Sequence, residues 1–233
     1  MPDRGLGSAF NRLWLASLAS NLGDGIARTA LPLLAARLTS DALLISGIAA
    51  LAMLPWLLFA LPSGIAIDRI DRRLALAVAQ AVRVTLGLAL IWLTASGTLT
   101  IWWLYLVIFA YGAFETLYDG AARAIPPSIV GAADLPRANG RIEAGEQVMQ
   151  SFVSGPFTSA FFAVSVLIPL GTNVVMFALA GVLALLLPAA ASGAVVAVMF
   201  PRCQMLHHLP QTYQYHFFVH WSQYCASIQL PWP

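Results

Sequence analysis

Residues 43–63, LLISGIAALAMLPWLLFALPS, contain no charged side chain. A helix of that composition has no polar face to turn toward water. A hydrocarbon core of about 30 Å is crossed by roughly 20 such residues. Five further segments, 10–36, 74–95, 100–124, 146–168 and 172–191, reach a comparable length. Pro and Gly inside them, such as Pro55 and Gly87, are tolerated in membrane helices, where neighbouring groups satisfy the freed backbone. Of all 233 residues 60% are hydrophobic and 9% charged, against about a quarter charged in soluble domains. These features predict an all-α polytopic membrane bundle of six transmembrane helices over residues 1–192, followed by an atypical stretch, 193–233.

The charges that remain are unevenly placed. The net charge of +2 is small and no basic stripe alternates with aromatics, which argues against nucleic acid as a partner. All twelve basic residues are Arg, a usage that fits the coding bias of a GC-rich bacterial genome. Arg4 and Arg12 precede the first span, and Arg69, Arg72 and Arg73 lie between the second and third. Arg137 and Arg141 lie between the fourth and fifth, while the opposite loops offer Arg37 alone. Arg excess marks the cytoplasmic side. The pattern predicts a multi-pass protein of the bacterial inner membrane with both termini cytoplasmic. The first residues lack a compact apolar core before a small-residue cleavage site, so no cleaved signal peptide is expected.

The densest charge is in GIAIDRIDRR, residues 64–73, where Asp68, Arg69, Asp71, Arg72 and Arg73 crowd one short loop. A topology signal accounts for the arginines but does not require Gly64, Asp68 and Arg72 at fixed offsets. Gly64 is expected to let the second and third helices approach and turn, and Asp68 and Arg72 are spaced to pair at i, i+4.

This loop resembles the loop 2–3 signature of major facilitator superfamily transporters, G-x-x-x-D-R-x-G/D-R-R/K. With Asp at position 71 it is similar to the version in bacterial exporters grouped with macrolide-efflux and enterobactin-export proteins. FNRLWLASLASNLGDGIARTALPLLA resembles the first span of that group, and PPSIVGAADLPRANGRIEAGEQV its loop 4–5 and the start of span five. SGPFTSA carries the Gly155–Pro156 pair found in span five of proton-coupled exporters, where a kink is implied. Ser151, Ser159 and Ala160 stand where that motif has Gly, and being small they preserve close helix packing. The likeness covers about residues 8–192, one six-helix half of a fold that has two. It implies that loop 2–3 latches the cytoplasmic side against a helix of the second half. It also implies that helices one and four line the transport cavity.

Charges inside the spans are the candidate site residues, because a charge at bilayer depth is costly and rarely idle. Asp24 and Arg28 share one face of the first span. Two readings stand side by side: a cavity acid that takes up a proton or a cationic substrate with Arg28 tuning it, or an internal i, i+4 ion pair. In span four, Glu115, Asp119 and Arg123 form one stripe. Glu115 is the deeper and a second candidate coupling acid. Asp119 and Arg123 are expected to join Arg72 or Arg73 in a charge network, and Arg83 in span three can serve either acid. Glu143 and Glu146 read as solvated carboxylates at a helix N-terminus. Trp14, Trp92, Trp102 and Trp103 suit membrane interfaces.

From about residue 193 the character changes: four His, Cys203 and Cys225 share the segment with one Arg and no acid. His207, His208, His216 and His220 invite a zinc reading, but the cysteines form no close-spaced ligand pair. Translation in a shifted frame explains the swap better, and predicts an unfolded segment or an ill-defined helix at the membrane surface. No nucleotide-binding loop or nucleophile–base arrangement points to an enzyme.

The resemblance implies secondary-active efflux of hydrophobic or amphipathic small molecules by alternating access. A proton gradient supplies the energy and no cofactor or metal is needed. The expected partners are the bilayer, the substrate, and either the missing C-terminal half or a second copy. The alternatives are an inactive fragment and a half-transporter that works as a dimer.

Overall fold

A computed structural model describes residues 6–188 and 191, apart from the side chains at 60, 61, 65, 66, 68 and 69. The expectations placed on 193–233 lie outside the described residues. The chain forms α1 (Ser8–Leu38), α2 (Ala42–Arg69), α3 (Arg72–Ala95), α4 (Ile101–Ala124), the single turn α5 (Pro126–Ile129), α6 (Leu135–Gln147), α7 (Ser154–Val164) and α8 (Leu167–Leu185). A π-helical turn, Val148–Val153, joins α6 to α7 into one rod. No strand occurs among the described residues.

The helix ends follow local chemistry. Asp71 caps α3, its Oδ1 accepting from the Arg73 N–H at 2.8 Å, as short acceptor side chains do at helix starts. The α3 exit turns through Gly97 at φ 69°, where the Thr98 N–H bonds the Leu93 carbonyl, a left-handed stop that suits Gly. Pro126 ends α4, since a proline cannot supply the next helical N–H.

Among the described residues four segments are long and apolar enough to cross a membrane: Ala42–Phe59, Arg72–Ala95, Ile101–Ile129 and Leu167–Leu185. Their outward side chains are apolar, with Leu43 and Leu57 both over 80% exposed and Trp92 and Trp102 about two-thirds exposed. An apolar surface of this extent has lipid rather than water as its solvent. The architecture is an all-α membrane bundle. The other two long rods, α1 and the α6–π–α7 rod, carry Asp24, Arg28 and Glu146.

α1 is central: it packs against α8, α7, the π-turn, α6 and α4. α3 lies against α8 and α4, and α2 against α4. Two apolar clusters fill the ends of the bundle. One gathers Leu31, Leu34, Leu90, Leu104 and Phe177; the other gathers Leu13, Leu76, Tyr118 and Ala184. Between them runs a polar layer of Ser20, Asn21, Asp24, Gln80, Arg83 and Asn173, all buried.

Several expectations are corrected. The fifth rod starts at Leu135 rather than 146, so Glu143 and Glu146 lie two turns and more inside it instead of at its N-terminus. The sixth helix runs Leu167–Leu185 rather than 172–191. Pro169 sits in its first turn, where N–H groups have no helical partner to lose. The turn before it is Ser165–Val166, with the Ser165 Oγ accepting from the Leu167 N–H at 3.3 Å. Gly64 is interior to α2 and a Cβ there would meet nothing within 4 Å, so it mediates no close approach. Ser151, Ser159 and Ala160 are exposed rather than packed. The tight contact of the fifth rod is elsewhere: a Cβ on Gly25 would collide with the Ser154 Oγ. Gly155 and Pro156 follow the π-turn directly. A proline clashes with the carbonyl four residues back, which falls at Phe152 in that turn, and widening the helix there relieves the clash.

Candidate functional site

The polar layer resolves into two networks. In the first, Arg83 of α3 is fully buried and its guanidinium pairs with the Asp24 carboxylate of α1. It also donates to the Ser20 Oγ at 3.2 Å and lies over the Phe177 ring of α8, 4.1 Å from its centroid. Gln80 donates to the same Ser20 oxygen at 2.8 Å. One turn on, Asn173 of α8 donates to the Gly23 carbonyl at 2.6 Å and accepts from the Tyr111 hydroxyl at 3.1 Å. These bonds tie α1, α3, α4 and α8 together through groups that would each be costly to bury alone.

The second network is open. Arg28 of α1 reaches Glu115 of α4 at 2.6 Å, and its side chain is 56% exposed against 12% for the acid. The same guanidinium donates to the Gln150 Oε1 at 2.7 Å. Gln150 in turn donates to the Asn21 Oδ1 at 2.6 Å, and Asn21 donates to the Ser17 carbonyl at 2.9 Å. Gln150 is placed by the π-turn, and such turns recur at functional sites because they re-aim side chains.

Asp24 and Arg28 therefore do not pair with each other. Asp24 points into the bundle and Arg28 onto an exposed face, although they stand one turn apart on α1. Among the described side chains, Arg123 pairs with Glu146 of the fifth rod at 3.6 Å. Arg72 donates to the Ala124 carbonyl at 2.9 Å and Arg73 to the Leu187 carbonyl at 2.9 Å, so neither meets Asp119. Arg12 donates to the Leu186 carbonyl at 2.8 Å. These arginines satisfy carbonyls at the C-terminal ends of α4 and α8, where the helix dipole also favours a cation. The Asp68 and Arg69 side chains, and any Asp68–Arg72 pairing, lie outside the description. Asp119 makes no hydrogen bond or ion pair among the described residues, while Glu115, Arg83, Glu146 and Arg123 are its electrostatic neighbours.

Sequence reasoning missed Gln150, Asn21 and Asn173, because a neutral amide in an apolar run carries no charge signal. Their position within membrane-length segments was the clue available. It also missed the docking of α6 on α1. There Arg141 lies over the Trp14 ring at 4.5 Å, and the Trp14 Nε1 donates to the Arg141 carbonyl at 3.0 Å.

Residues 6–140, which hold α1 to α4 with both the Asp24–Arg83 and the Arg28–Glu115 pairs, match the family model described as transmembrane secretion effector. The chain belongs to this family of major facilitator transporters. No curated protein and no solved structure matches the chain. As a transmembrane secretion effector, the protein is a membrane transport protein. Its transporter family accounts for charges held at membrane depth, and it points to movement of a solute rather than to covalent chemistry. The family match ends before Gln150 and the Gly155–Pro156 pair.

Proposed function

We propose that the protein is the N-terminal six-helix unit of an efflux transporter that works by alternating access. Its substrates are hydrophobic or amphipathic small molecules of the drug, macrolide or siderophore class, and a proton gradient drives their export. The observation that carries this reading is the Arg28–Glu115–Gln150 network. It lies on a face where the guanidinium is more than half exposed, while most of the remaining surface is apolar. A charge at that depth needs water or a polar partner, and a transport cavity between two helix bundles supplies both. Asp24 is better placed to hold α1 on α3 than to meet a substrate, which makes Glu115 and Arg28 the preferred cavity residues.

The Arg distribution supports a bacterial inner membrane, six spans and cytoplasmic termini. On that orientation loop 2–3 faces the cytoplasm. Asp71, Arg72 and Arg73 order the loop within this unit, and the same loop latches against a second unit. Transport requires that second six-helix unit, and a second copy of this chain can serve if the exposed α1–α4 face is self-complementary.

The test is uptake of a fluorescent amphipathic dye into inverted membrane vesicles expressing the chain, energised by a proton gradient. Accumulation that is lost in Arg28→Ala and Glu115→Ala variants of normal abundance supports the reading. Equal accumulation in vesicles lacking the chain means it is inactive by itself. Accumulation insensitive to both substitutions removes these residues from the cavity.

A further inference from the structure

Among the described residues, the acids within α1 and α4 do not all have a cation, and the one without lies on α4. Asp24 is matched by Arg83, Glu115 by Arg28 and Glu146 by Arg123. Asp119 stands one turn from Glu115 and one turn from Arg123 on α4, between two ion pairs, and neither pair includes it. The charged groups facing it are Glu115 and Arg123 from its own helix, Arg83 from α3 and Glu146 from α6. α1 contributes Asp24 and Arg28, each already engaged; the α2 side chains of Asp68 and Arg69 lie outside the description.

We propose that Asp119 is the carboxylate that takes up the exchangeable proton of this transporter, and that its protonation decides which partner Arg123 holds. The inference rests on the transport reading above and specifies its coupling group. A carboxylate at membrane depth that has no cation among the described residues can be neutralised by a proton or by a cation that leaves another acid. Arg123 is that cation. Its link to Glu146 is long, at 3.6 Å, its side chain is 58% exposed, and Asp119 is four residues before it on the same helix. With Asp119 ionised, the two acids compete for Arg123. When Asp119 binds a proton, Arg123 is left to Glu146, and the Arg123–Glu146 bridge ties α4 to the fifth rod. Losing the proton frees α6 from α4. One proton is gained or lost at the Asp119 carboxyl and no other covalent bond changes.

The test needs no transport, so it can fail or succeed independently of the vesicle assay. The chain is purified, placed in lipid nanodiscs, and its infrared carboxylic-acid C=O band is recorded at about pH 7, where exposed carboxylates are ionised. The expected result is a band that disappears in Asp119→Asn, survives in Glu115→Gln, and returns at a shifted frequency in Asp119→Glu. The Asn variant also mimics the protonated state, so the pH profile of thermal stability is expected to flatten. A merely structural role would lower stability at every pH and leave the profile intact. If Asp119→Asn does not fold, the Asp119→Glu band shift decides alone. Absence of the band in the wild type, its persistence in Asp119→Asn, or its loss on adding sodium chloride at constant pH would overturn the proposal, the last by identifying a metal cation as the occupant.

Discussion

Replacing Arg83 by Met keeps most of the side-chain volume while removing the charge that neutralises Asp24. Arg83 is fully buried and Asp24 only 4% exposed, so the carboxylate has no water to fall back on. Breaking a buried ion pair from one side costs about 3–5 kcal/mol. The lost stacking on Phe177, worth about 1–2 kcal/mol when desolvated, is part of that total rather than an addition to it. Removing both charges in Asp24→Asn/Arg83→Met leaves polar groups imperfectly paired, at about 1–2 kcal/mol. With Asp24→Asn alone costing a similar amount, about 3–5 kcal/mol, by leaving Arg83 unpaired, the double-mutant cycle returns a coupling of at least about 4 kcal/mol, above the range usual for contacting residues. The assay is reversible unfolding in mixed detergent micelles, followed by far-UV circular dichroism. Two results refute the reasoning: a single substitution as mild as a lipid-facing one, or a double variant that loses the full sum of its singles. Either would mean that Asp24 and Arg83 are solvated independently, which places a water-filled cleft between α1 and α3 instead of a packed seam.

Three further outcomes follow from the packing. Gly25→Ala drives a Cβ onto the Ser154 Oγ and to 3.0 Å from the Gln150 Cα, and overpacking of that kind costs about 1–3 kcal/mol. Gly64→Ala meets open space inside a helix and is expected to gain about 0.5–1 kcal/mol, so thermal melts of the two variants should move in opposite directions. Arg73→Gln removes the donor to the Leu187 carbonyl. The melting point should fall by the equivalent of about 1 kcal/mol, and an unchanged melt would show that water caps α8 equally well. Gln150→Leu leaves the Asn21 amide oxygen without its donor and Arg28 with Glu115 alone. Dye accumulation is expected to drop while the protein remains folded, and unchanged transport would assign Gln150 to packing.

Much of the architecture was legible in the sequence because a bilayer imposes its own length scale. A charge-free run such as 43–63 has one stable solution in lipid, a helix that satisfies its backbone internally. The cap at Asp71 and the stop after Ala95 are local too, set by one acceptor side chain and one glycine. The limits of the fifth and sixth helices were misread at stretches that contain Pro and Gly, 135–145 and 167–171. In lipid a helix tolerates both, and Pro169 needs no helical acceptor in the first turn.

The site was legible as a set of charges but not as a set of pairs. Asp24 and Arg28 share a face by sequence spacing, yet a rotation of 40° between i and i+4 positions separates a core-facing side chain from an open one. Which cation meets which acid depended on α3 and α4 arriving from 60 to 90 residues away, as Arg83 and Glu115 do. The arginine-rich loop shows the same division. Its basic residues were visible as a topology signal, but their use as donors to the carbonyl ends of α4 and α8 required those ends to be close by. The sequence by itself determined that the chain is a helical membrane bundle and which residues carry charge inside it, because solvation in lipid acts on each segment separately. Only the tertiary structure decided that Asp24 is buried against Arg83, that Arg28 is shared by Glu115 and Gln150, and that Asp119 has no ion-pair partner among the described residues, because pairing is a property of side chains brought together from distant segments.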